Sequence, residues 1–173
     1  MSTNKKITVL GGGSWATALV KILSNNTTEL LWWMRNQDAV NYIKETKHNP
    51  NYLSSVPINT QIVNVTSDLK TACEQADIIV TAIGKKHIVN ASWFKKNAIL
   101  IDVGIHIDRS GAVSGDVILD EKSQCAWYTP VPGGVGPMTV WALLDNTWIA
   151  TQQQAATRKN KPTPSGPPPA HLF

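Results

Sequence analysis

The chain has 173 residues and a mass of 18.9 kDa, with 42% hydrophobic and 16% charged residues, which is the make-up of one folded domain and excludes wholesale disorder. The net charge is +4, but three basic residues lie in an acid-free last stretch, and the other 13 nearly balance the 12 acidic residues. This distribution argues against the basic face of a nucleic-acid-binding protein. Two cysteines are too few for a disulfide framework and no apolar run approaches the ~20 residues of a membrane helix, so we expect a cytoplasmic protein that binds no membrane.

The first half of the chain alternates strand and helix patterns. Residues 6–10 form a β-rich run that ends in glycines, and residues 15–24 have apolar side chains at helical spacing. Residues 30–34 are apolar throughout, which is typical of a strand buried on both faces. Residues 36–47 predict a helix, and residues 62–65 predict a third strand.

The second half continues the alternation. Residues 67–76 predict a helix, residues 77–83, 98–103 and 125–128 predict strands, and the polar stretch at residues 108–115 is hairpin-like. Pro137 fits the first position of a helix that reaches about residue 151. These patterns predict an α/β fold, a single doubly wound parallel sheet of Rossmann type over residues 1–151. Residues 152–173, with five prolines, predict a disordered Pro-rich tail.

A glycine-rich turn follows the first predicted strand and opens the first predicted helix, which is the setting of the G-x-G-x-x-G/A pattern of dinucleotide-binding domains. The first glycine permits the tight turn, the third lets the backbone approach a pyrophosphate, and the final small residue lets the helix pack on the strand. The alternative, a purely structural turn, stays open, but the strand before and the helix behind favour cofactor binding. The predicted binding residues are Gly11, Gly12, Gly13, Ser14, Trp15 and Ala16.

Arg35 ends the second predicted strand, where an NAD-preferring domain usually has Asp or Glu for the ribose hydroxyls. A guanidinium at this point can pair with a 2′-phosphate, so the sequence favours NADP over NAD as cofactor. The alternative is a solvated arginine at a helix start, because Asp38 lies only one turn further on.

Four segments of the first half carry a family resemblance, namely residues 7–19, residues 31–36, residues 51–53 with 56–57, and residues 66–69. Through them, residues 5–83 resemble the N-terminal domain of NAD(P)-dependent glycerol-3-phosphate dehydrogenase. This resemblance implies NAD(P) at the glycine turn and a phosphate-bearing triose substrate.

Three segments of the second half carry a different resemblance, namely residues 98–105, 115–117 and 129–139. Through them, residues 77–151 resemble the cofactor domain of bifunctional methylenetetrahydrofolate dehydrogenase/cyclohydrolase. This resemblance implies that Gly104 and Ile105 touch the nicotinamide end of the cofactor and that the Pro-Gly loop, with Gly134 and Thr139, borders cofactor and folate. It also implies a homodimer through this domain. The resemblance changes at about residues 77–83, so the chain has the pattern of a chimera.

The resemblances also imply which catalytic groups to look for. Glycerol-3-phosphate dehydrogenases use a lysine after the fifth strand and a further helical domain, and the folate enzyme uses an N-terminal domain. We do not find these groups in the patterns of this sequence. Lys85, Lys86, His87 and His106 lie near strand ends but are interpreted as solvated surface. We therefore expect an NADP(H)-binding module that is catalytically weak or inert, with no catalytic residue and no metal site. Two alternatives stay open: an NADP-dependent oxidoreductase of either parental type, and a recombined scaffold that binds nothing.

Overall fold

The computed structural model describes residues 5–120, 123 and 125–159. The strands in chain order are β1 (Ile7–Leu10), β2 (Leu30–Trp33), β3 (Val63–Thr66), β4 (Ile78–Thr81), β5 (Val89–Asn90), β6 (Ile99–Asp102), β7 (His106–Ile107), β8 (Val113–Ser114), β9 (Val117–Ile118) and β10 (Trp127–Tyr128). The helices are α1 (Ser14–Leu23), α2 (Gln37–Thr46), α3 (Leu69–Gln75) and α4 (Val135–Lys159), and a 3₁₀ turn covers Ala91–Trp93.

Six strands form one parallel sheet in the order β10-β6-β4-β1-β2-β3. In this order the chain starts at the centre of the sheet, winds outward to β3, and returns to wind outward on the other side from β4. The reversal between β1 and β4 is a topological switch point, and ligands of such sheets bind there, at the carboxyl ends of the strands. The predicted doubly wound α/β sheet is confirmed.

The core lies on both faces of this sheet, which explains why its strands lack alternation. Val9 and Trp32 pack in one apolar cluster with α1 and α2, whereas the following residues Leu10 and Trp33 pack in another with α3. Because successive strand residues point to opposite faces, both faces need apolar side chains. The two tryptophans are 0% and 3% exposed and belong to the core.

Side chains cap the second and third helices where they follow the sheet. The side-chain oxygen of Asn36 accepts hydrogen bonds from the N–H groups of residues 38 and 39 at 2.8 and 3.3 Å, and Asp68 accepts one from Thr71 at 3.1 Å. The side-chain hydroxyl of Thr71 is the main cause that lowers the pKa of Asp68. In contrast, no side chain caps α1, whose N-cap residue is Gly13.

The last helix differs from its prediction at both ends. It begins at Val135, so Pro137 is its third residue instead of its first, and it continues to Lys159. Residues 152–159, expected at the start of a disordered tail, are therefore helical, because they are mostly Gln and Ala, which favour helices, and the next proline is Pro162. The rest of the predicted tail, residues 160–173, lies outside the described residues.

The chain divides into two compact units between Gly136 and Pro137, and each is described by itself. The described part of the second unit is the stretch of α4 from Pro137 onward, and the large apolar side chains of this stretch are exposed. Trp141 and Trp148, seven residues apart and therefore on one helix face, are 60% and 62% exposed. Among the described helices, none combines the length and the apolar character that a membrane span needs.

Candidate functional site

The glycine turn between β1 and α1 lies at the switch point of the sheet. Gly11 has a φ of +139°, and a Cβ there would stand 2.2 Å from the carbonyl oxygen of Ala82, so this position accepts only glycine. A Cβ on Gly12 would be 3.3 Å from the Cβ of Met34. A Cβ on Gly13 would meet no atom of the described chain within 4 Å, so the third glycine faces open space.

Protein donors hold all three glycine carbonyls of the turn. Nε1 of Trp32 donates to the first at 2.7 Å, and Nδ2 of Asn49 donates to the second at 3.2 Å. The amide and the hydroxyl of Thr17 donate to the third at 3.0 and 2.9 Å. In the part of the chain that the structure describes, the N–H groups of residues 12–14 donate no hydrogen bond. Three donors therefore stand free at the uncapped, positive end of α1.

A cleft of about 360 Å³ opens beside the turn, a volume within the range of small-molecule sites. Its lining comes from the ends of the three central strands and from one irregular segment. The lining residues are 11–13 after β1, residues 33–36 from the end of β2 to the start of α2, Ala39 in the first turn of α2, residues 49, 51 and 52 in the crossing to β3, and residues 83–85 after β4.

The charge of the cleft is positive. Arg35 and Lys85 both line it and are exposed, and its described lining contains no acidic residue. Because β2 and β4 flank β1 on opposite sides, the arginine and the lysine lie on opposite sides of the glycine turn. Arg35 therefore stands where the sequence placed it, at the end of β2 and on the wall of a cleft.

Asn49 is a site residue that the sequence patterns did not single out. It is 1% exposed in the irregular crossing between α2 and β3. Besides holding the carbonyl of Gly12, its amide donates to Oγ1 of Thr17 at 2.8 Å, and its Oδ1 accepts from the N–H groups of Asn51 and Tyr52 at 3.0 and 3.3 Å. The Asn-Pro dipeptide that it opens predicts a turn, but no local pattern points to partners 32 and 37 residues away.

The residues that follow the three glycines differ in their exposure to solvent. Ser14 and Trp15 are exposed, the indole at 70%, whereas Ala16 is fully buried. The Cβ of Ala16 would lie 3.2 Å from a Cβ on Gly11. The small side chain at this position thus permits the close packing of helix and turn that the pattern predicts.

A buried carboxylate lies beside the cleft wall that follows β4. Asp116 is 0% exposed, and its Oδ2 accepts hydrogen bonds from the N–H groups of Ile83 at 2.7 Å and Gly84 at 3.4 Å. Its Oδ1 lies 2.7 Å from Nε2 of His106. The interpretation of His106 as solvated surface is wrong, because this contact holds an imidazole with a 19% exposed side chain. Lys85, Lys86 and His87 are exposed, as expected.

Gly104 lies next to this carboxylate, and Ile105 follows it in the chain. A Cβ on Gly104 would be 2.5 Å from Cγ of Asp116, and its N–H donates to the buried Asp102 at 2.9 Å. The side chain of Ile105 is 65% exposed. Neither residue lines the cleft itself.

The Pro-Gly loop after β10 adjoins the same cluster. The N–H of Gly134 donates to the carbonyl of Pro130 at 2.8 Å, and a Cβ on it would stand 2.8 Å from the Cβ of Thr129. The hydroxyl of Thr129 in turn accepts from the N–H of Asp102 at 2.8 Å. Thr139, the last predicted contact residue, belongs to the second unit.

Known sequences are similar to the larger part of this chain. The model of the family described as "tetrahydrofolate dehydrogenase/cyclohydrolase, NAD(P)-binding domain" matches residues 54–155. The bifunctional protein FolD of Sorangium cellulosum is 46% identical over 94 residues, which cover 54% of this chain and 33% of that protein. The chain thus spans about a third of the length of the curated relatives it matches.

Solved structures are similar over most of the chain. The methylenetetrahydrofolate dehydrogenase-cyclohydrolase of Trypanosoma brucei, complexed with NADP cofactor and inhibitor, covers 87% of this chain with 44% of its own, at 27% identity and a TM-score of 0.60. The glycerol-3-phosphate dehydrogenase of Coxiella burnetii covers 57% of this chain with 31% of its own, at 20% identity and a TM-score of 0.48. The Trypanosoma brucei structure therefore shares the fold of this chain over most of its length.

Proposed function

The chain belongs to the family of NAD(P)-binding domains of tetrahydrofolate dehydrogenase/cyclohydrolase, and we propose that it binds NADP(H) through the pyrophosphate at its glycine turn and is by itself catalytically weak or inert. The observation that carries this proposal is the row of free N–H groups at residues 12–14, beside a cleft at the switch point of the sheet. Backbone donors at a helix N-terminus are the usual holders of a dinucleotide pyrophosphate.

Each residue of the turn has its own task in this proposal. Gly11 makes the bend, and Ala16 lets α1 approach β1 closely. Gly12, Gly13 and Ser14 donate their N–H groups to the phosphate oxygens, and the missing side chain of Gly13 leaves room for them. Trp15 follows on the exposed side of the first helical turn.

The preference for NADP rests on Arg35. An adenosine ribose bound at the turn lies toward the end of β2 in sheets of this kind, and there the cleft has an exposed guanidinium and no acidic residue on its described lining. A guanidinium pairs with a phosphate through two parallel hydrogen bonds, whereas it has no such partner in the unmodified ribose of NAD.

The nicotinamide end of the proposed site is the region after β4 and β6. The side chain of Asp116 contacts the cleft wall at residues 83–84 and also contacts Gly104. The backbone at Gly104 is therefore connected to the cleft wall through this one side chain. We assign the exposed Ile105 to the nicotinamide face by family membership, with Gly134 shaping the neighbouring loop.

The proposed lack of activity follows from what a hydride transfer requires. A base or acid must lie within hydrogen-bond reach of the substrate. The described cleft lining contains no His, Asp or Glu, and its two other titratable candidates, Tyr52 and Lys85, are exposed to solvent. His106 is the histidine nearest in sequence to the end of β6, and its Nε2 lies within hydrogen-bond distance of Oδ1 of Asp116. The proposal therefore concerns the cofactor-binding residues of this chain, which spans about a third of the length of its curated relatives.

Calorimetric titration of NADPH and NADH into wild-type protein and into Gly13→Val tests the binding proposal. Valine is compatible with the fold because Gly13 has a φ of −82° and open space around its Cβ. We expect binding to wild type, loss of binding in Gly13→Val, an intermediate affinity in the matched variant Gly13→Ala, and the same unfolding temperature in all three. The absence of heat and of thermal stabilisation at millimolar cofactor would refute the proposal and leave a scaffold that binds nothing.

Absorbance at the nicotinamide band tests the proposed inertness. Wild-type protein is mixed with oxidised cofactor and either methylenetetrahydrofolate or glycerol 3-phosphate, and we expect no turnover. Turnover that disappears in Gly13→Val would show that the chain is an oxidoreductase and that the proposal of an inert module is wrong.

A further inference from the structure

The glycine turn is held in a way that determines where its free N–H groups point. In a planar trans peptide the carbonyl and the following N–H point in opposite directions. The carbonyls of Gly11, Gly12 and Gly13 each point at a buried donor, namely Trp32, Asn49 and Thr17. The N–H groups of the three following residues must therefore point away from the interior. Fixing the three carbonyls thus fixes three anion-binding donors.

Asn49 connects two of these anchors. Its amide group donates once to the carbonyl of Gly12 and once to Oγ1 of Thr17, whose own hydroxyl donates to the carbonyl of Gly13. A buried amide group is costly unless its donors and acceptors are paired, and here both N–H groups and the oxygen have partners. Removal of Asn49 would free the second carbonyl and loosen the hydroxyl that holds the third.

The same residue also shapes the wall of the cleft. Its Oδ1 holds the N–H groups of Asn51 and Tyr52, two of the residues that line the cleft. The helix does not need this contact for its own start, since the backbone N–H of Thr17 already bonds to the carbonyl of Gly13. The bonds of Asn49 therefore serve the shape of the turn and the wall.

We propose that Asn49 is a positioning residue which, through Thr17 and together with Trp32, orients the N–H groups of residues 12–14 toward a diphosphate. This inference rests on the proposed function, because the diphosphate is that of the bound dinucleotide. The three residues come from the α1 helix, the β2 strand and the crossing after α2, so the binding turn is shaped by three separate parts of the chain.

Two variants remove the positioning contacts. Asn49→Ala deletes the amide group, and we expect its dissociation constant for NADP⁺ to rise about tenfold or more, as the loss of a hydrogen-bonded buried amide implies. Asn49→Ala also leaves the N–H groups of Asn51 and Tyr52 without their acceptor and can unfold the protein. Thr17→Val is therefore the second test, because it keeps the branched shape of the side chain and replaces the hydroxyl by a methyl group. We expect a rise of about five- to tenfold.

Thr17→Ser is the matched control, since serine restores the hydroxyl without the methyl group. We expect it to bind NADP⁺ within about twofold of wild type. The diagnostic readout is the amide spectrum of ¹⁵N-labelled protein, in which saturating NADP⁺ shifts the N–H signals of residues 12–14 by similar amounts in wild type and Thr17→Ser and by clearly smaller amounts in Thr17→Val. A merely structural role would lower the unfolding temperature and leave these shifts intact in the folded protein.

The outcomes separate this inference from the proposed function. Wild-type affinity and shifts in both Asn49→Ala and Thr17→Val would overturn the positioning role while cofactor binding stands. If NADP⁺ does not bind to wild type, the proposed function fails, and inorganic pyrophosphate then becomes the probe. Pyrophosphate shifts at residues 12–14 that are clearly smaller in Thr17→Val uphold the inference, and their absence in wild type, or their full size in the variant, overturns it.

Discussion

Two loop regions at the same edge of the sheet are built in opposite ways. At the glycine turn the carbonyls have protein partners and the N–H groups of residues 12–14 have none within the described chain. After β6 the carboxylate of Asp102, which is 5% exposed, accepts hydrogen bonds from four donors of the protein. The first region leaves three donors without a partner in the described chain, whereas the second uses its donors on its own acidic side chains. The contrast separates the proposed binding surface from a hydrogen-bonded support.

The same contrast recurs at the helix starts. Asn36 and Asp68 cap α2 and α3 with their side chains, and α1 begins at Gly13 without a side-chain cap. A helix start that lacks a cap leaves its donors for another partner. The fold therefore tolerates unpaired donors at the glycine turn, where the proposed ligand supplies the acceptors.

Asp102→Ala should remove the hydrogen bonds around the buried carboxylate and have the largest effect on stability. The change leaves the hydroxyl of Thr81 and three backbone N–H groups without their acceptor, and we expect the free energy of unfolding to fall by about 3–5 kcal/mol. Urea denaturation measures the change. Asp108→Ala, at an exposed hairpin position, is the control that should leave the core intact. Equal midpoints for both variants would mean that the buried carboxylate is not a support.

Gly11→Ala tests the turn, where we expect the second-largest effect on stability. The positive φ and the carbonyl oxygen 2.2 Å from the added Cβ predict a loss of about 3 kcal/mol. Gly13→Ala, two residues on, should leave the unfolding temperature unchanged, and comparing the two by thermal denaturation separates the bend from the open position. A stable Gly11→Ala protein would mean that the turn can relax.

Arg35→Ala tests how the cleft distinguishes NADPH from NADH, and we expect it to leave the stability of the protein unchanged. We expect the affinity for NADPH to fall about tenfold while the affinity for NADH stays the same, because only NADPH has the 2′-phosphate. Calorimetry on both cofactors measures this, with Lys44→Ala on the exposed side of α2 as the charge-matched control. An equal loss for both cofactors would rule out the 2′-phosphate contact.

The smallest expected effect is on the pH dependence of folding stability, at an ion pair outside both regions. The hydrogen bond from Lys95, at 2.8 Å, is the main cause that lowers the pKa of Asp77, and the N–H of Lys6 adds to it. A carboxyl whose folded pKa is lowered contributes stability above its unfolded pKa of about 4, and this contribution disappears as the pH falls through the folded value. Unfolding temperatures of wild type and Asp77→Asn should therefore differ at neutral pH and converge in strong acid. A constant difference across the range would contradict the ion pair.

Sequence patterns predicted most of the fold because those features are local. Apolar runs without alternation predicted strands covered on both faces, and Val9 and Leu10 indeed pack on opposite sides of the sheet. The end of α4 was wrong, since the composition change at residue 152 was interpreted as the end of order although Gln and Ala continue a helix well. Composition alone did not distinguish a polar helix from a tail.

For the site, the patterns found the residues of the turn but not what holds them. The contact between His106 and Asp116 was missed, because it depends on the hairpin of β7 and β8 bringing two loop residues together. Asn49 was missed because its partners lie 32 and 37 residues away in sequence. Such contacts leave no periodic signal along the chain.

By itself the sequence determined the chain order of the helices and of the six strands in the parallel sheet, the glycine turn with its bend at Gly11, and the guanidinium that follows β2. Each of these depends on neighbouring residues and on the geometry of single elements. Only the tertiary structure decided which polar groups are paired: the carbonyls of the turn, the buried carboxylates and the imidazole of His106 find partners in distant segments. The physical reason is that a hydrogen bond needs two groups within about 3 Å, and folding alone brings such groups together.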